Sequence, residues 1–214
     1  MHTVSLLSYI FAGLFWLMIP DTGNGYDTRT GASLASPSEF HAISINSSKS
    51  APMAFIPAGE FAMGSDRGQD DEQPVHRVLV KAFYLETHEV TVARYAAFLM
   101  SQKADPPFKW NEATSGAHES KPVAGVNWYD ARDYCRWIGR RLPTEAEWEL
   151  AARGTEGRMY PWGDAQPTRS HANAGHTKWH GYDTLTNVGQ FELGKTPNGV
   201  YDLAGNLWEW VADW

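Results

Sequence analysis

Cysteine is almost missing: Cys135 is the single one in 214 residues. An intrachain disulfide is therefore excluded, and so is any two-cysteine metal or redox centre built from this chain alone. No run of Lys or Arg occurs and the formal net charge is −7. A polyphosphate partner would meet a repulsive field, so nucleic-acid binding is not expected. Long apolar runs are missing too, except at residues 4–20, VSLLSYIFAGLFWLMIP. That length suits the apolar core of an export leader and is short for a membrane span. Residues 1–25 are read as an export leader, with an uncleaved membrane anchor as the alternative; any membrane contact is expected only there.

What is abundant is aromatic and turn-forming: ten Trp, nine Tyr, nine Phe, nineteen Gly and twelve Pro. That mixture favours large aromatic anchors joined by irregular turns over a helical bundle. Residues 26–50 are rich in Ser, Thr, Ala and Gly without an apolar period, the composition of a linker. One domain is expected from Ala51 to Trp214.

Within it, MAFIPAGEFAMGS (53–65) reads as two short strands about a Pro57–Gly59 turn, and VHRVLVKAFYLETHEV (75–90) alternates as strands with one buried face. The acidic loop between them, DRGQDDEQ (66–73), lacks the alternating acids and central glycine of an EF-hand loop and is read as solvated charge. Three helices are expected. Thr91 caps the first, running to about Ser101; the second covers 130–140, with Ala131, Tyr134, Cys135 and Ile138 on its core face and Gly139 at its end. The third starts at LPTEAEWELAARG, where Thr144 and Glu147 have capping-box spacing and Gly154 stops the helix. Glu145, Glu147 and Glu149 are explained by the helix dipole. Cys135, on a core face, is structural and not a nucleophile. Beyond Gly154 neither period is sustained, and a long irregular stretch inside a compact domain is usually functional or ion-tethered.

The blocks FIPAGEFAMGS, THEVTVARYAAF, PVAGVNWYDARDYCRWIGRRLPTEAEWELAARG, YPWGD and GVYDLAGNLWEWVADW occur in an order that resembles the formylglycine-generating enzyme, or sulfatase-modifying factor, family. The resemblance runs from about Met53 to Trp214. It implies an α+β, C-type-lectin-like fold with little regular structure, three main helices and short strands. It further implies structural calcium and an ancestral oxidase activity that converts a sulfatase cysteine to formylglycine, with a sulfatase or another protein as substrate. The family's oxidases hold copper on two cysteine thiolates beyond the GNLWEW block, so the domain is expected to lack its C-terminal part, and copper is expected only if that part supplies two cysteines. The alternative is a non-catalytic, calcium-stabilised lectin-like accessory or binding module.

By family position, Asp202 and Glu209 are expected to give carboxylates to calcium while Gly205 and Leu207 give carbonyls. A second calcium site would use the Asn173 amide and the carbonyls of Ala174 and Tyr182, but His180 stands where that site needs an acid. His171, His176 and His180 do not suggest a transition-metal site, because their Asn and Gly neighbours argue against a helix. Trp179, Trp208, Trp210 and Trp214 are read mainly as core packing.

Overall fold

The computed structural model describes residues 17–18, 51–66, 72–174 and 181–213. Most of the leader and linker, the middle of the acidic loop, His176, Trp179, His180 and Trp214 lie outside the described residues.

Five short strands form: β1 (Leu17–Met18), β2 (Met53–Ile56), β3 (Gly59–Met63), β4 (His76–Val80) and β5 (Phe83–Glu86). The expected turn at Pro57 is present, but β2 and β3 do not pair with each other. β2 pairs with β5 (Ile56 opposite Phe83), and β3 pairs with β4 (Gly59 opposite Val80), both antiparallel and in one continuing register. Residues 53–63 and 76–86 thus make one long ribbon that breaks where Pro57, which has no N–H to donate, interrupts the ladder. β1 adds to the outer edge of β5.

Among the described residues four α-helices follow, α1 (Val92–Gln102), α2 (Trp110–Thr114), α3 (Trp128–Trp137) and α4 (Glu145–Arg153), where three were expected. The additional one, α2, is five residues long, too short to show a period. Two of the predicted ends were right for the predicted reason. The Thr91 hydroxyl accepts from Arg94 N–H, and Thr144 and Glu147 cap α4 reciprocally. α3 starts two residues before the expected point because Asn127 and Asp130 form a second capping box.

Ala54, Ile56, Phe61, Phe83 and Leu85 from the ribbon pack on Trp148, Leu150 and Ala151 of α4, with Val200 and Leu203 from the irregular C-terminal stretch. A second cluster joins α1 to α3 through Tyr95, Phe98, Tyr134 and Cys135. Glu149 is not explained by the dipole. It is buried, accepts from Gly64 N–H and pairs with Arg153, which also donates to the Gly64 carbonyl. This exchange ties α4 to the end of β3. Among the described residues, no helix is long and apolar enough to cross a membrane.

Candidate cation site

Residues 202–213, which include most of the GNLWEWVADW block, have no regular structure. Val200 and Leu203 are held in the core while Tyr201 N–H donates to the Thr87 carbonyl, so the loop is stitched to the segment leaving β5. Asp202 and Asn206 both take positive φ, which short side chains able to bond locally tolerate best. Gly205, at φ +93°, passes so close to the neighbouring loop that a Cβ there would stand 2.6 Å from the Asn173 carbonyl oxygen.

Three acids are buried here. Asp202, 7% exposed, accepts from Gly189 N–H at 2.6 Å through Oδ2. Glu209, 2% exposed, accepts from the Trp148 indole at 2.8 Å through Oε2. Glu89, 3% exposed, accepts from the Asn206 amide at 2.8 Å through Oε2. The Oε1 atoms of both glutamates are buried without a hydrogen-bond partner. Burial pushes the Glu89 carboxyl well above the usual range, and the neighbouring charges of Asp202 and Glu209 push it further, against the Asn206 amide and the Leu207 backbone N–H. Burial and Asp202 raise Glu209 against the indole's hydrogen bond, and burial raises Asp202 against the Gly189 N–H and His88.

Glu89 is the member that sequence reading passed over. Its only local signal was an acid beside a run of buried residues, Val90 and Val92.

Asn206 is the hub of the site. Its Nδ2 donates to Glu89, its Oδ1 accepts from Asn173 Nδ2 and from Thr186 N–H, and its own N–H donates to the Asn173 carbonyl. The loops of the two expected calcium sites therefore share one asparagine.

The side chains alone do not complete a metal centre: among the described residues, no three of His, Cys, Asp and Glu form a group that could hold an ion. A hard divalent cation takes about six to eight oxygens and mixes carboxylates with carbonyls, so side-chain acids alone would not complete such a site. An unpartnered buried acceptor costs about 1–3 kcal/mol. Two of the three buried acids each carry one such oxygen.

The second expected site is differently furnished. Asn173 Nδ2 is spent on the Thr184 carbonyl and Asn206, Ala174 is exposed, and the Tyr182 carbonyl accepts from the Lys121 ammonium at 2.8 Å. A side-chain cation already stands on one of the three expected oxygens.

Cys135 is fully buried and its thiol is driven far up by that burial, which matches a structural role. The tryptophan reading needs correction. Trp208 is 70% exposed and Trp210 lies largely at the surface with its indole donating to the Val126 carbonyl. Trp148, from α4, is the one buried against the acids.

Residues 39–214 match the family model for the sulfatase-modifying factor enzyme 1-like domain. The chain is 37% identical to the serine/threonine-protein kinase pkn1 of Chlamydia pneumoniae over 76% of its length, and 34% identical to the formylglycine-generating enzyme of Bos taurus over 76% of its length. It spans 28% of the former protein and 58% of the latter. Among solved structures it resembles PvdO from Pseudomonas aeruginosa, with a TM-score of 0.63 and 28% identity, over 77% of this chain and 71% of that one.

Proposed function

The chain belongs to the family of sulfatase-modifying factor enzyme 1-like domains, and from that premise we propose that it forms the calcium-tethered scaffold of a formylglycine-generating-type domain that engages a protein substrate. One observation carries this reading: two buried glutamate oxygens without partners, one on the acidic loop at 202–209 and one on the segment between β5 and α1. Asp202 and Glu209 would supply carboxylates to the ion and Gly205 and Leu207 carbonyls. The ion would neutralise acids that otherwise repel one another and so hold the irregular loop against α4. The surface aromatics Trp208 and Tyr129, and Arg132 lying over the Trp128 and Tyr129 rings, have the composition of a protein-recognition patch. A sulfatase segment carrying the target cysteine is the substrate that the family relationship suggests.

Calcium fits the residues present; copper does not. Cuprous ion is held by soft thiolates, and the single cysteine is buried, with burial holding it as the neutral thiol. Oxidation of a substrate cysteine is therefore not assigned to these residues. The apolar stretch at 4–20 supports an exported location, where millimolar calcium is available.

Thermal melting with calcium and with chelator tests the scaffold reading. Calcium at a hundred times its dissociation constant stabilises by about 2.7 kcal/mol, a Tm rise of roughly 5–10 °C for a domain of this size. An absent rise, or the same rise in an Asp202→Ala/Glu209→Ala double variant, would sink it. Aldehyde capture from a sulfatase-derived cysteine peptide, with cuprous ion added, is expected to yield no aldehyde.

A further inference from the structure

The turn that follows Gly181 is gripped by charged side chains from two other segments. Tyr182 is fully buried. Its N–H donates to Glu112 Oε1 of α2 at 2.8 Å, its hydroxyl accepts from Ala124 N–H at 2.9 Å, and its carbonyl accepts from the Lys121 ammonium at 2.8 Å. Glu112 in turn pairs with Lys109. The fit is close, for a Cβ on Gly181 would collide with Glu112 Oε1. Lys121 is fixed at its own backbone, where its N–H donates to the His118 carbonyl and its carbonyl accepts from Val92 N–H at the start of α1.

This turn is the one that the second expected calcium site would use, and its donors do not fit a divalent ion. Calcium takes about six to eight oxygens, carboxylates among them. The expected donors here are an amide and two carbonyls, and His180 stands where the acid is needed. Asp183, in the turn itself, holds its side chain 94% exposed and toward His118, 3.7 Å away. Asn173 gives its Nδ2 to the Thr184 carbonyl and to Asn206 Oδ1. Carbonyls without a carboxylate suit a single positive charge better than a double one, and an ammonium donates three hydrogen bonds without requiring an acid. We propose that Lys121 takes the place of the ion: its ammonium is the cation that holds the 181–185 turn to the segment between α2 and α3, and it excludes calcium there. An ion bound to the Tyr182 carbonyl would have to share that oxygen with a positive charge already in contact with it.

A lysine cannot be removed by chelator, so this tether is independent of calcium, whereas the one proposed for the loop at 202–209 is not. Ion counts test the exchange. Calcium bound per chain is measured by isothermal titration in the 214-residue chain, Lys121→Met, His180→Asp and the Lys121→Met/His180→Asp double variant, and each is melted with calcium and with chelator. Lys121→Met keeps the stem and removes the charge; it should lower Tm by about 3–12 °C, equally in calcium and in chelator. His180→Asp should gain no ion, because the ammonium still occupies the carbonyl. The double variant should bind one calcium more per chain than the unchanged protein, with a Kd of about 10⁻⁴–10⁻³ M. In calcium it should also recover at least half of the Tm lost by Lys121→Met.

If His180→Asp gains a calcium with Lys121 in place, or the double variant gains none, the lysine does not exclude the ion and the proposal is wrong. If both Lys121 variants are unfolded with and without calcium, the Asp202→Ala/Glu209→Ala variant decides. Without the carboxylates of the first site it should bind no calcium, and an ion still held with a Kd below about 10⁻³ M overturns the proposal. If the unchanged chain binds no calcium at all, the scaffold reading fails alone, since the difference of one ion between that chain and the double variant still decides the role of Lys121.

Discussion

Glu86 is the most exacting place to perturb this fold. Its carboxylate is fully buried, accepts from Arg94 at 2.5 and 2.9 Å, and is also paired with Arg140, which is itself almost completely buried. Arg94 comes from α1 and Arg140 from the turn after α3, so one carboxylate joins the ribbon to two helices. Glu86→Gln keeps the volume and removes the charge, leaving two guanidinium groups buried against a neutral amide. Breaking a buried pair by removing one partner costs roughly 3–5 kcal/mol, a large share of the roughly 5–15 kcal/mol that holds an ordinary domain together. At about 2–4 °C per kcal/mol for this size, Tm should fall by about 6–20 °C, in calcium and in chelator alike. A triple replacement, Glu86→Met with Arg94→Met and Arg140→Met, should recover most of the loss, because apolar groups of similar volume can replace a buried ion network at little cost. Urea melts followed by tryptophan fluorescence read both. A loss below about 1 kcal/mol for Glu86→Gln would mean that the network is solvated and that its burial adds nothing to its strength.

Gly205→Ala places a methyl group 2.6 Å from the Asn173 carbonyl at a φ of +93°; the strain and the weakened Asn206–Asn173 hydrogen bond should cost about 2–3 kcal/mol, read as a lower Tm with a smaller calcium response. Burial works to raise the Glu147 carboxyl, but Arg141 and the Thr144 N–H prevail and hold it below its ordinary value. A depressed carboxyl stabilises above its unfolded range and loses that contribution as pH falls through its folded value. Glu147→Gln should therefore cost about 1 kcal/mol near neutrality and converge with the unchanged chain in denaturant melts as pH falls below the folded-state value of that carboxyl. Cys135, buried with its thiol pushed up, should react with iodoacetamide no faster than the domain unfolds; rapid alkylation of the folded protein would contradict its structural role.

Local chemistry was legible at several places where its partners are neighbours in the chain, although the Asn127–Asp130 capping box was not. Thr91, Thr144 and Glu147 cap helices through hydrogen bonds spanning three residues, so spacing alone revealed them. The same holds for the strands that flank Pro57, although the register shows that these join one ribbon and do not pair with each other. Asp202 and Glu209 could be named because both lie in one short loop that matches its family block. Trp208 and Trp148 look alike as letters; only packing shows that the first faces solvent and the second covers an acid.

The sequence by itself therefore determined the capped starts of α1 and α4, the ribbon strands, the lack of a cysteine pair and the family block that carries Asp202 and Glu209. Those depend on steric and hydrogen-bond rules acting over a few residues, or on residue types that can be counted. Tertiary structure alone decided that Glu89 meets Asn206 across 117 positions, that Lys121 reaches the Tyr182 carbonyl, and that Glu86 receives two arginines while Glu89 receives none. Whether a buried charge is paired depends on which distant segments the folded chain closes around it, and no local pattern records that.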